Sequence, residues 1–214
     1  MLRTKSILAT LLALNFLFDG AYGVLGMFQQ KRAIGYATIP EEVALRINED
    51  NKLLEVPSGS KTQLGPGLYL VNHFRRLTPK KGDWYCAVKA DAEKVQSISK
   101  VYIPKSYVAH PRKRPQPLWY AGEDVIMDYL MTLELMNEPR PSQALRFSWV
   151  SDKYAQMQML IPDSAIDNQE ALELWAECFE TEEELTHFAQ DEDFINWENK
   201  EEWNIMGDRG LPEL

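Results

Sequence analysis

The first 23 residues of the 214-residue chain have the pattern of a cleaved secretory leader, which would remove them from the fold. Arg3 and Lys5 give a positive start, residues 6–18 are apolar with three polar exceptions, and Ala21 and Gly23 stand at the −3 and −1 positions of a cleavage site. The 13-residue apolar run is shorter than the roughly 20 residues that span a bilayer, which disfavours a membrane anchor. We therefore expect a secreted, extracellular protein with no membrane attachment.

Export changes the interpretation of the two cysteines, Cys86 and Cys178. In an oxidising compartment they can pair as a disulfide. The alternative is two buried thiols, because free cysteine packs well as a small apolar residue. The three histidines, His73, His110 and His187, lack metal-ligand spacing, so the sequence predicts no metal site.

Charge divides the chain near residue 163. Residues 163–214 contain 17 acidic and 2 basic side chains, whereas residues 24–162 carry a net charge of +5. The overall charge of −9 argues against nucleic acid as a partner. Residues 75–114, with 11 Lys and Arg against 3 Asp and Glu, could instead bind an anionic partner or a phosphate-bearing ligand. Alternatively, both charged stretches form solvated surface.

Hydrophobic spacing predicts a mixed α+β fold. Strands are predicted over residues 33–39, 68–71, 84–90, 101–103, 145–150 and 154–161. Helices are predicted from Pro40 to about residues 48–51, over 122–136, around 172–179, and after the capping box Thr181-x-x-Glu184. We expect residues 24–162 to form one α+β domain. Residues 163–214 are predicted to form an acidic helical extension packed on it, with Trp197 and Trp203 in a polar segment lying on that domain.

Three motifs, read together, resemble the ADP-ribosyltransferase superfamily over roughly residues 33–162. The first is Gly-Tyr-Ala-Thr at 35–38, which ends a strand before a helix. The second is Ser-Gly-Ser at 58–60 followed by Leu-Gly-Pro-Gly-Leu-Tyr-Leu at 64–70. The third is Gln-Met-Gln-Met-Leu-Ile-Pro at 156–162. The chain is most similar to a group of secreted fungal proteins that carry this pattern in degenerate form.

The resemblance implies a split β-sheet core with flanking helices, and NAD as the small molecule bound. It implies catalytic positions at Gln158, Gln156 and Tyr69. It implies cofactor-binding positions at Tyr36, Thr38, Ser58, Ser60, Gly67 and Tyr69. Each has a simpler interpretation. Tyr69 also fits a half-buried strand aromatic, the two serines fit turn chemistry, and the two glutamines fit the outward face of an edge strand.

The motifs depart from the family at two positions that carry charge. Gln158 stands where the family has its catalytic Glu, and Ala37 or Tyr36 stands where it has Arg or His. Cleaving a nicotinamide–ribose bond creates an oxocarbenium-like centre that a carboxylate stabilises, and an amide brings no negative charge. Loss of one electrostatic stabiliser costs roughly 10²–10³ in rate.

The sequence therefore predicts a catalytically degenerate ADP-ribosyltransferase-like protein that acts by binding a host or competitor protein, as an effector does. The alternative is an active NAD-dependent transferase or NAD glycohydrolase in which Glu55, Asp152 or Asp163 replaces the missing carboxylate. A third possibility is an unrelated secreted interaction protein with accidental motif matches. If the resemblance holds, Tyr36, Tyr69 and Gln158 should converge on one cleft.

Overall fold

The computed structural model describes residues 31–57, 62–109, 114–133, 140–151, 153, 155–190, 194, 196–197 and 203–212. The predicted leader, Ser58, Ser60 and Asp152 lie outside these ranges. No helix within them is long and apolar enough to cross a membrane.

Within the described ranges there are six α-helices and nine strands. The helices are α1 (Glu41–Asp50), α2 (Ala92–Ser97), α3 (Glu123–Thr132), α4 (Asp163–Asp167), α5 (Gln169–Leu172) and α6 (Glu182–Gln190). The strands are β1 (Lys31–Pro40), β2 (Gly67–Leu70), β3 (Asp83–Asp91), β4 (Lys100–Tyr102), β5 (Ser106–Tyr107), β6 (Gln116–Pro117), β7 (Leu145–Trp149), β8 (Met157–Pro162) and β9 (Trp175–Phe179). Short 3₁₀ turns lie at Phe74–Arg76 and Pro141–Gln143. The mixed α+β class predicted from the sequence is confirmed.

The strands form two main sheets and one small ribbon. Sheet A has the order β1-β3-β9 and is antiparallel throughout. Sheet B has the order β2-β8-β7-β4, with β4 and β7 parallel and the other pairs antiparallel. Strands β5 and β6 pair only with each other in the described part of the chain. Sheet B therefore holds β8 in its interior, between β2 and β7.

The two main sheets meet where β1 passes β2. The backbones of Tyr36 and Val71 exchange two hydrogen bonds, each 2.9 Å long. At the neighbouring Gly35, a Cβ atom would lie 2.8 Å from the Cβ atom of Leu70, closer than side chains tolerate. A glycine is therefore required for β1 and β2 to approach this closely.

Three apolar clusters surround these sheets. The largest contains side chains from both sheets and from α1, among them Ile34, Phe147 and Ile47. A second cluster packs α3 against sheet B through Ile126 and Leu130. The third places Leu185 of α6 beside the aromatic side chains near β1.

Local sequence chemistry accounts for the helix boundaries near the site. Pro40 ends β1, and α1 begins at once with Glu41 and Glu42, whose negative charge suits a helix N-terminus. Asn51 ends α1 in the left-handed conformation, with a φ of 56°. The predicted capping box is confirmed, because the side chains and backbone amides of Thr181 and Glu184 bond reciprocally.

The prediction of a helix over residues 172–179 is wrong, because Trp175–Phe179 forms strand β9 at the edge of sheet A. Buried and half-buried residues alternate along it, and Cys178 lies opposite Cys86 of β3. The two cysteines are joined by a disulfide, which resolves the choice between a bridge and two thiols. The stretch after residue 163 therefore contributes a sheet strand as well as helices.

The outer edge of β9 is closed by asparagines from the end of α1. The side chain of Asn48 donates to the carbonyl of Cys178 and accepts from its N–H, both at 2.8 Å. Asn51 bonds both backbone polar groups of Ala176, through its own carbonyl at 3.0 Å and its side chain at 3.1 Å. These contacts satisfy groups that an exposed edge strand would leave open to another chain.

The two tryptophans near the C-terminus insert into the main core instead of only covering it. Trp197 is fully buried, and its indole N–H donates to the carbonyl of Ile34 at 2.8 Å. Trp203 is also buried and packs edge-to-face on Phe147, as Trp197 does. Both side chains are thus integral to the core that positions the strands.

Candidate functional site

A groove of about 360 Å³ lies beside the junction of β1 and β2. Five of the predicted site residues line it: Thr38, Gly67, Tyr69, Gln156 and Gln158. They come from β1, β2, β8 and the residue that precedes β8, so the fold brings together positions up to 120 residues apart. Its volume lies in the lower part of the 300–1,000 Å³ range that is typical of small-molecule sites.

The first motif meets the groove through Thr38 and not through Tyr36. The Tyr36 ring is 5% exposed and packs between Phe74 and Phe194, with ring centroids 5.6 and 5.7 Å away. Ala37 faces the main core, so an arginine there would lie among apolar side chains. The expected convergence is thus seen for Tyr69 and Gln158, whereas Tyr36 lies outside the groove.

The hydroxyl of Tyr69 holds a turn through two hydrogen bonds to the backbone. It accepts from the N–H of Leu64 at 2.7 Å and donates to the carbonyl of Gly65 at 3.0 Å. Burial raises the pKa of Tyr69 to about 12. The half-buried Tyr69 also lines the groove and contributes aromatic surface to it.

The same turn is held by an ion pair between a buried arginine and a partly exposed glutamate, which the sequence analysis missed. The guanidinium of Arg146 is fully buried and binds both carboxylate oxygens of Glu123, at 2.6 and 2.7 Å. It also donates to the carbonyl of Leu64 at 2.8 Å. At Gly65, with a φ of 100°, a Cβ atom would lie 2.5–2.6 Å from these two side chains. The turn therefore requires glycine and is tied to α3.

A buried amide fixes the start of this turn. The side chain of Gln63 donates to the carbonyl of Trp149 at 2.7 Å and accepts from the N–H of Ser151 at 3.0 Å. These bonds link the segment before β2 to the β7–β8 connection. Both walls of the groove are therefore positioned by polar contacts made inside the protein.

Gln158 is the most deeply buried polar side chain of the groove. It is 7% exposed and lies in β8, an internal strand of sheet B, which excludes the alternative of an edge strand's outward face. Its side-chain nitrogen is buried and has no hydrogen-bond partner among the described residues. A buried donor without a partner is costly, and an acceptor from a bound molecule would satisfy it.

The groove carries positive charge. Arg76, Lys80 and Lys153 line it, together with the hydroxyl-bearing Thr62 and Thr78, and none of its described lining residues is Asp or Glu. The Lys153 ammonium lies 3.4 Å from the Thr78 hydroxyl, so the β7–β8 connection touches the segment that follows β2. Cations and hydroxyls in this arrangement favour phosphate or another anion.

The carboxylates considered as replacements for the missing glutamate do not line the groove where the structure describes them. Glu55 and Asp163 instead share a neighbourhood with Asp167. Repulsion from Asp167 raises the pKa of the Glu55 carboxyl, and burial followed by the same repulsion raises the pKa of Asp163. No three or more His, Cys, Asp or Glu side chains in the described ranges are grouped to hold a metal ion.

Comparison with known proteins gives one match. Residues 62–208, about two thirds of the chain, match the model of a family of unknown function, DUF5910. No curated protein and no solved structure matches the chain. The matched stretch covers β2, β8 and the groove residues they carry, and it extends through β9 and Trp203. The chain belongs to the DUF5910 family.

Proposed function

We propose that this is a secreted ADP-ribosyltransferase-like protein whose groove binds a phosphate-bearing nucleotide of the NAD type without cleaving it. The observation that carries the proposal is the groove itself. It is lined by Gly67, Tyr69 and Gln158 together with three cationic side chains. None of its described lining residues is Asp or Glu. The protein then acts by binding a host or competitor protein, and not by turnover.

Recognition of phosphate requires positive charge in this groove, whereas cleavage of the nicotinamide–ribose bond requires negative charge. Arg76, Lys80 and Lys153 favour the pyrophosphate of a dinucleotide, and the unpartnered amide of Gln158 suits a ribose hydroxyl. Cleavage of the nicotinamide–ribose bond would build positive charge on the ribose. The neutral Gln158 amide cannot stabilise that charge, and the nearby cations oppose it. The charges of the described lining residues favour binding over cleavage.

One sequence observation keeps an active NAD glycohydrolase or transferase as the second candidate. Asp152 directly precedes Lys153, which lines the groove. A carboxylate at that place in the sequence is the remaining candidate for the missing charge. The variant Asp152→Asn therefore separates the two functions.

The test incubates the purified mature protein with NAD and measures nicotinamide release and transfer of label to proteins of a lysate. We expect neither, and we expect Gln158→Glu to give the first detectable nicotinamide release. Turnover by the parent protein that Tyr69→Ala or Asp152→Asn abolishes would overturn the proposal in favour of the enzyme. Heat-denatured protein supplies the blank.

Export is tested separately from the groove. The full chain is expressed in a eukaryotic secretory host, and the protein in the medium is sequenced from its N-terminus. We expect the mature chain to begin at Val24. Retention of the unprocessed chain inside the cell would contradict the proposed secretion.

A further inference from the structure

We propose that Lys100 is a reactive amine that forms an imine with small aldehydes, in a cavity separate from the groove. This cavity has a volume of about 280 Å³ and is lined by Lys100, by side chains of α2 and by Trp203. It shares no described lining residue with the groove beside β1 and β2. The reactivity of Lys100 is therefore independent of nucleotide binding.

The Lys100 nitrogen lies at the wall of this cavity. It donates to the carbonyl of Gln96 at 3.1 Å and lies 5.9 Å from the centre of the Trp203 ring. Gln96 and Trp203 both line the cavity, as Lys100 itself does. Because Lys100 is only 5% exposed, bulk solvent has little access to it, and the cavity is the described space that adjoins it.

The hydrogen bonds of Lys100 suit a neutral amine. Besides the bond to Gln96, its nitrogen donates to the carbonyl of Ile98 at 2.7 Å. A neutral amine has two N–H donors and a lone pair, whereas an ammonium has three donors and no lone pair. Arg32 and Glu93 also line the cavity, but no carboxylate in the described part of the chain lies within ion-pair distance of Lys100. Both donors of the neutral amine thus have acceptors, and its lone pair remains for reaction.

Two contacts favour the charged form of Lys100, and burial opposes it. The Trp203 ring attracts a cation, although its centre lies at the outer limit of about 6 Å for that interaction. The carbonyls at the end of α2 attract a cation as well. Burial outweighs both and lowers the pKa of Lys100 to about 8. At pH 7.5 roughly one quarter of Lys100 is then neutral, against about one part in 800 of an ordinary lysine.

The lone pair of the neutral amine attacks the carbonyl carbon of the aldehyde. A C–N bond forms and the carbonyl π bond breaks, which gives a carbinolamine. With uptake of one proton, the C–O bond breaks and the oxygen leaves as water. The product is a protonated imine that keeps one N–H, so one of the bonds to Gln96 and Ile98 can remain. The cavity is smaller than most small-molecule sites, which limits the aldehyde to a few carbon atoms.

The test is reductive labelling of the purified mature protein with propanal and sodium cyanoborohydride at about pH 7.5, followed by peptide mapping with mass spectrometry. The reductant converts the imine into a stable secondary amine. We expect Lys100 to be labelled about tenfold faster than exposed lysines, because lower basicity and limited access offset part of its roughly 200-fold larger neutral fraction. Lys94 is the matched control, since it lies in the same helix and its ammonium pairs with Glu173 at 2.7 Å. The α-amino group of the chain is read from a separate peptide.

The dependence on pH and on folding separates a reactive lysine from one that only caps α2. The ratio of Lys100 to Lys94 labelling should fall on the order of 20-fold from about pH 7 to 9.5, because ordinary lysines gain neutral amine over that range. In urea-unfolded protein the ratio should approach one. A lysine that only caps the helix would instead be labelled more slowly than Lys94 in the folded protein and would gain on unfolding.

A pair of variants assigns the reaction to the cavity. Ala92 is half-buried and lines the cavity, so Ala92→Leu should obstruct it and slow the labelling of Lys100 severalfold. Ser97→Leu, at an exposed position of α2 outside the cavity, should not. Labelling of Lys100 no faster than that of Lys94 overturns the proposal, and so does fast labelling that Ala92→Leu leaves unchanged. The comparison of Lys100 with Lys94 needs no variant, so it decides the matter if Ala92→Leu does not fold.

Discussion

The disulfide between Cys86 and Cys178 should supply a large part of the stability of the folded chain. It joins residues 92 positions apart, and closing a loop of that length stabilises the folded state by about 4.6 kcal/mol in the chain-entropy model. For a domain of this size each kcal/mol moves the melting temperature by about 2–4 °C. We therefore expect Cys86→Ala with Cys178→Ala to melt about 9–18 °C below the parent protein.

The measurement is thermal unfolding followed by circular dichroism under non-reducing conditions. Both cysteines are buried, so the loss of their sulfur atoms adds a small packing cost to the entropic one. The single variant Cys86→Ala serves as a check, because it also breaks the bridge and should melt close to the double variant. Reductant added to the double variant should change nothing. A double variant that melts within about 3 °C of the parent would refute the reasoning.

Three further predictions concern the supports of the groove and the sheets. Glu123→Gln leaves the Arg146 cation buried without its partner and should cost about 3 kcal/mol in urea unfolding, and adding Arg146→Met should restore most of it. Burial lowers the pKa of Lys100 to about 8, so unfolding binds a proton between about pH 8 and 10.5. Stability should therefore rise from pH 7.5 to 9.5, and Lys100→Met should remove that rise. Asn48→Ala strips two hydrogen bonds from the edge of β9 and should cost about 2 kcal/mol and promote association seen by gel filtration, whereas the exposed neighbour Glu49→Ala should do neither. Unchanged stability of Glu123→Gln or of Asn48→Ala, or a rise with pH that persists in Lys100→Met, would contradict the role given to that side chain.

The sequence predicted correctly those elements whose boundaries depend on residues close by in the chain. The strand before Pro40, the helix after it and the Thr181 capping box depend on neighbours a few residues away, and the structure has all three. The segment 172–179 failed because its apolar residues fit both a helical spacing and an alternating one. Pairing with strand β3 and the disulfide to Cys86 stabilise the strand over the helix. Both partners lie about 90 residues away in sequence.

Part of the lining of the candidate groove was predicted from the sequence motifs. The motifs located Gly67, Tyr69 and Gln158, and the fold brings these residues to one groove. The Glu123–Arg146 pair was missed because its members lie 23 residues apart and a lone buried arginine has no sequence signature. The burial of Gln158 was missed as well, since alternation alone cannot tell an interior strand from an edge strand.

The backbone hydrogen bonds between Tyr36 and Val71 join the two main sheets beside the groove. Thr38 belongs to sheet A, whereas Tyr69 and Gln158 belong to sheet B, so the groove spans the seam between the two sheets. A ligand that contacts both walls of the groove would therefore link the two sheets a second time. Such a ligand would oppose sliding of one sheet past the other. Because it binds only the folded state, its binding free energy would add to the free energy of unfolding.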